Sequence, residues 1–205
     1  MNEKHIIFAA KVLSVLLTPF YLPLIGLIVL FLFSYLSLLP TMYKWQIGLL
    51  VYLFTVLIPT LLIRFYRMSQ GWSHIELLQR QHRIIPYIIT IVLYFTCYHI
   101  LHALHAPHSI GSIIIAALLM QIVCALINVW WKISTHTAAV GAFAGGLIAF
   151  AFRLSFNPTG WLALVLIIAG MVGSGRIILK QHSLAQVVVG FFVGLLCSFF
   201  VIMQL

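Results

Sequence analysis

Long apolar runs, each wide enough to cross a bilayer and separated by short polar stretches, constrain this chain more than any other feature. About 20 residues of helix cross the hydrocarbon core, and inside it only helices or closed barrels satisfy their own backbone. The runs fall roughly at residues 12–39, 45–63, 84–104, 110–130, 137–152, 161–179 and 184–203. They predict an all-α, polytopic transmembrane bundle of six to seven helices, a single membrane-embedded domain over residues 1–205. Pro19 and Pro23 should kink the first run, because each removes a helical N–H. That run follows Lys4 and Lys11, is too long for a cleaved signal peptide, and reads as a retained first membrane helix. The fifth run carries Gly141, Gly145 and Gly146, the small residues that close helix packing requires. With 6% charged residues against roughly 25% in soluble domains, no separate soluble domain is expected. Cys97, Cys124 and Cys197 lie inside apolar runs and read as small buried hydrophobes.

The net charge of +9 arises because acids are nearly absent: there is no Asp, and Glu3 and Glu76 are the only Glu residues. Hard cations such as Mg²⁺ want carboxylate oxygens, so a two-metal phosphatase or nuclease site is disfavoured. A Ser-His-Asp triad and a paired-carboxylate glycosidase are disfavoured on the same ground. Proton-coupled transporters carry intramembrane carboxylates, and no long apolar run here contains one. Chemistry falls to His, Arg, Lys, Ser, Thr and Gln, a set that suits an anion. No metal or other cofactor is expected, nor a nucleic-acid partner.

The polar residues cluster in three stretches. The first is Gln79-Arg80-Gln81-His82-Arg83 followed by Pro86, the second Lys132-Ile133-Ser134-Thr135-His136-Thr137, and the third Arg176, Lys180-Gln181-His182 and Gln186. Two runs separate the first from the second, and two more separate the second from the third. An even number of crossings returns the chain to one side, so all three should meet at one membrane face. Arg80, Arg83 and Arg176 are permanent charges able to bind phosphate oxygens through forked hydrogen bonds. Ser134 and the backbone N–H groups opening the fifth helix add neutral donors and a favourable dipole. His136 and His182 are the groups there whose ordinary pKa, about 6.5, permits proton transfer near neutrality. Two such histidines can divide phosphoryl transfer, one attacking phosphorus while the other protonates the departing alkoxide.

In these stretches the chain resembles the type 2 phosphatidic acid phosphatase superfamily of integral membrane enzymes, over roughly residues 80–194. That family carries Lys-x6-Arg-Pro, Pro-Ser-Gly-His and Ser-Arg-x5-His-x3-Asp. Here Arg176 and His182 keep the third spacing, with Gln186 at the Asp position. Ile133-Ser134-Thr135-His136 keeps Ser and His of the second. The first is degenerate: Arg80 and Arg83 precede Pro86, and Glu76 stands at the Lys position. The resemblance implies a lipid phosphatase that cleaves a phosphomonoester or pyrophosphate through a phosphohistidine, without metal. It makes His182 the nucleophile, His136 the leaving-group acid, and Gln186 the residue that orients His182 without an acid's charge. Arg80, Arg83, Ser134, Thr135 and Arg176 would bind phosphate. The implied partners are a phosphorylated lipid and the bilayer. The alternative reading is a non-catalytic or weakly active member that binds or transports an anionic lipid or small anion.

The expected location is a bacterial inner membrane. The positive-inside rule places the polar face in the cytoplasm, whereas the resemblance implies a periplasmic or lumenal site. Lys44, Arg64, Arg67 and Arg153 read as interfacial anchors. His99, His102, His105 and His108 recur every third residue at the end of the third run. That spacing drifts around a helix, and parity puts them on the opposite face, so they read as interfacial residues rather than metal ligands.

Overall fold

The computed structural model describes residues 3–16, 18–71 and 81–204. They form α1 (Glu3–Leu16), α2 (Leu22–Phe33), α3 (Thr41–Tyr52), α4 (Ile58–Ser69), α5 (Ile84–Ala103), α6 (His108–Trp130), α7 (Thr135–Leu154), α8 (Thr159–Ile178) and α9 (Leu184–Gln204). No strand occurs among the described residues. A π-helical turn, Leu53–Leu57, joins α3 to α4, so Thr41–Ser69 makes one apolar span longer than its hydropathy alone suggested. Among the described residues six helices are long and apolar enough to cross a membrane, and α2 is a shorter apolar helix. Their outward faces expose Trp45, Phe65, Phe95, Ile167 and Phe192, apolar surface that lipid can cover.

The first run is not one kinked helix. It is α1, a break around Pro19, α2, and a 3-10 turn at Tyr35–Leu38. Pro23 occupies the first turn of α2, where its missing N–H costs nothing, so the two prolines end one helix and start the next. As a result α1 packs against α8 near Gly175 rather than continuing across the bundle.

The tightest packing is between α7 and α9. A Cβ on Gly141 would lie 2.0 Å from the Phe191 carbonyl oxygen, one on Gly145 2.1 Å from that of Leu195, and one on Gly194 1.7 Å from that of Ala138. Each helix therefore contributes a pair of glycines four residues apart, and the two backbones touch where the other side chains cannot intervene. Both helices begin at the same end of the bundle, because the Ser134 N–H donates to the Gln186 carbonyl at 3.4 Å. Their positive dipole ends therefore converge there. The buried core continues through Tyr94, Cys97, Leu101, Ile110 and Ile114 between α5 and α6. Cys97 and Cys124 are buried and Cys197 is half-buried, as their apolar settings required.

Candidate functional site

The third polar stretch is shaped by two local motifs. At the end of α8 Lys180 takes a left-handed conformation (φ 52°), its N–H donates to Ile177, and the Gln181 N–H donates back to Arg176. This is a Schellman turn, which satisfies the last helical carbonyls. The Arg176 carbonyl also accepts the His182 N–H at 3.4 Å. The five residues between Arg176 and His182 are thus the length of one helix ending, and the turn ties the two residues together. Ser183 then caps α9: its hydroxyl accepts the Gln186 N–H, and Gln186 Oε1 accepts the Ser183 N–H at 3.3 Å. That reciprocal capping box contributes about 1 kcal/mol to the start of the helix.

The same Gln186 oxygen lies 3.0 Å from His182 Nδ1. Because it already accepts a backbone N–H, the atom facing the imidazole is the amide oxygen, which can only accept. Nδ1 therefore carries the hydrogen, and the lone pair of the neutral ring is on Nε2. His182 is buried, with 7% of its surface exposed. Burial, then the charges of Arg83 and Arg176, lower its pKa to about 3, the Gln186 bond pulling upward and Lys132 downward. Neutral imidazole with a free Nε2 is the form a nucleophile needs.

Ser134 caps α7, accepting the Thr137 N–H at 3.4 Å, while the Thr137 hydroxyl donates to the Ser134 carbonyl. Thr135 and His136 occupy the first two helical positions, whose N–H groups lack an intrahelical acceptor. Gly190 admits this turn: a Cβ there would meet the Ser134 carbonyl and the Thr137 hydroxyl, each at 2.7 Å. Arg176, His182 and Arg83 all act electrostatically on His136. Lys132 is half-buried nearby, its pKa lowered by burial and then by Arg83 and Arg176. Residues from all three polar stretches thus come together at one end of the bundle. Arg80 lies outside the described residues.

Arg176 is 5% exposed, and its Nε has no hydrogen-bond partner. Its Nη1 donates to the Ser14 hydroxyl at 2.6 Å. Ser14 is a site neighbour that the sequence did not reveal. Its carbonyl accepts from His136 Nε2 at 3.2 Å. For Ser183 the signal in the sequence is the capping-box spacing Ser183-x-x-Gln186. The four spaced histidines lie elsewhere, exposed around the α5–α6 turn. Among the described residues no group of three or more His, Cys, Asp or Glu side chains could hold a metal ion. Arg153 Nη1 donates to the Ile202 carbonyl at 2.8 Å near the end of α9, and Lys44 bonds the Ser37 carbonyl. Both behave as helix-end anchors.

Fold and site together define a class: an all-α bundle with membrane-length apolar helices and a cationic site at one end that holds two histidines. Residues 108–205, the segment that carries α6 to α9, match the family model of the PAP2 superfamily. The superfamily points to phosphatase action on phosphoesters. No curated protein and no solved structure matches the chain.

Proposed function

We propose that the protein is a lipid phosphate phosphatase that transfers the phosphoryl group to His182 and then to water, without metal. The observation that carries the lipid assignment is an apolar cavity of about 280 Å³ between α2, α6 and α7. Ala139, Phe143, Leu147, Phe150 and Leu154 line it. They follow His136 at helical spacing on one face of α7. From Ala139 to Leu154 that wall is about 22 Å long at 1.5 Å per residue, most of the hydrocarbon core. Pro19, Leu22, Gly26 and Phe33 form the facing wall. A hydrocarbon chain in this groove would hold its phosphate beside His136.

In the first step the lone pair of His182 Nε2 attacks phosphorus while the bond from phosphorus to the lipid oxygen breaks. The departing oxygen takes that electron pair and a proton from His136. Arg83, Arg176 and the N-terminal N–H groups of α7 stabilise the negative charge on the equatorial oxygens. In the second step His136 takes a proton from water, the hydroxide attacks phosphorus, and the pair of the P–N bond returns to Nε2. Gln186 orients His182 throughout but supplies no charge for the cationic intermediate, so turnover slower than with an acid at that position follows. Phosphate release from phosphatidate, phosphatidylglycerol phosphate, isoprenoid pyrophosphate and phosphorylated lipid A, measured in detergent with EDTA, tests the reading. Release that persists in EDTA and vanishes in His182→Ala supports it. Activity lost with EDTA, or retained by His182→Ala, contradicts it.

A further inference from the structure

We infer that α1 is a gate over the phosphate seat, with Ser14 occupying the place of two substrate oxygens until substrate displaces it. The inference rests on the reading that Arg176 and His136 bind the phosphate and the leaving oxygen. Ser14 presents an acceptor to each: its hydroxyl oxygen to Arg176 Nη1 at 2.6 Å, and its carbonyl oxygen to His136 Nε2 at 3.2 Å. These are two of the contacts a bound phosphoester would make, made instead by a helix more than a hundred residues away in sequence. A histidine whose Nε2–H is held by a main-chain carbonyl cannot give that proton to an alkoxide. The site as folded is therefore closed to the reaction.

The closure is incomplete in a way that favours exchange. A guanidinium offers a fork of donors, and Ser14 satisfies one arm, leaving the buried Arg176 Nε without a partner. A phosphate group would take both arms, and hydrogen bonds between charged partners are about twice as strong as neutral ones. A buried cation facing a neutral hydroxyl is thus a seat that a dianion wins. Ala10 rests on Gly175, small residue against small residue, while Phe8 and Val12 are exposed. Beyond the break after α1, Pro19 and Leu22 line the apolar groove, so the gate adjoins the route a lipid tail would follow.

The packing of Ala10 on Gly175 supplies the test. A Cβ on Gly175 would stand 3.7 Å from that of Ala10, close to the usual separation of about 3.8 Å across a disulfide. In the Ala10→Cys/Gly175→Cys protein, oxidation should lock α1 over the site. Lipid phosphate hydrolysis should fall at least tenfold and return on reduction, with each single variant indifferent to oxidant. In a His182→Ala background, where nothing is consumed, a bound phosphate group should slow cross-linking severalfold. Inorganic phosphate and a micellar lipid monophosphate, tried separately, distinguish a bare phosphate from a lipid-borne one. Ser14→Ala, which removes one latch bond without a new side chain, should lower KM severalfold with kcat little changed. Cross-linking that ignores both phosphate sources overturns the gate, as does a locked protein that hydrolyses lipid phosphate at the reduced rate. A raised KM in Ser14→Ala likewise overturns it, making Ser14 a substrate ligand. Failure of the phosphatase reading looks different: no phosphate release from the reduced protein, with cross-linking still slowed by phosphate.

Discussion

Histidines stand at both ends of this bundle, and the two groups differ in everything except residue type. At one end His182 is buried, bonded to Gln186, and faced by Arg83 and Arg176. At the other, His99, His102, His105 and His108 are exposed, with His99 packed against Phe95 at 4.3 Å between ring centres and His102 near Tyr98. Three of the exposed group, His102, His105 and His108, even line a pocket, yet no arginine or lysine lines it with them. An imidazole becomes a nucleophile when its tautomer is fixed and its charge suppressed, and at His182 the Gln186 bond supplies the first condition and burial beside two guanidinium groups the second. Density of histidine in a sequence says little about where its chemistry lies.

Replacing histidines at each end gives the largest expected contrast. His182→Ala should lower phosphate release by at least about 10³-fold, as loss of a nucleophile does. The His102→Ala, His105→Ala and His108→Ala substitutions together should leave it within about twofold, as exposed changes do. Next comes His136→Ala, expected to lower kcat by roughly 10²–10⁴-fold. The loss should shrink for a substrate whose leaving group needs no proton, such as an aryl phosphate. Gln186→Leu should cost about 10–100-fold, the usual effect of losing the group that orients a functional histidine. Gln186→Asp should raise the rate above that of the natural protein.

Stability sharpens the comparison between packed and lipid-facing surface. Gly194→Ala drives a methyl group into the Ala138 carbonyl, so thermal unfolding in detergent should show a loss of about 1–3 kcal/mol. Gly48→Ala, with nothing within 4 Å, should show none. The smallest effect is on pH. Because the folded-state pKa of His182 is lowered to about 3, its contribution to stability is complete above about 6.5 and declines as pH falls toward the folded value. Nitrogen shifts of labelled His182 should accordingly report a neutral ring well below the ordinary histidine pKa.

What the sequence revealed follows the range of the interactions involved. The Arg176-to-His182 spacing was legible because a helix ending and a capping box, both local, create it. Span parity correctly gathered the three polar stretches, since crossing a membrane is a constraint that needs no tertiary contact. Hydropathy missed the break at Pro19, because an apolar residue scores alike whether its backbone continues a helix or ends it. The glycines of α7 announced close packing, but Gly190 and Gly194 as their partners on α9 emerged only in three dimensions. Ser14 left no sequence trace: its contacts with Arg176 and His136 span 162 and 122 residues, and a serine in an apolar run is ordinary.

The most direct test of the central claim is to quench the protein in alkali during turnover of a lipid phosphate carrying radiolabelled phosphorus, with EDTA present. A labelled, acid-labile phosphohistidine that maps to His182 and is missing from His182→Ala is the predicted result. Steady phosphate release with no label on His182 would contradict the account.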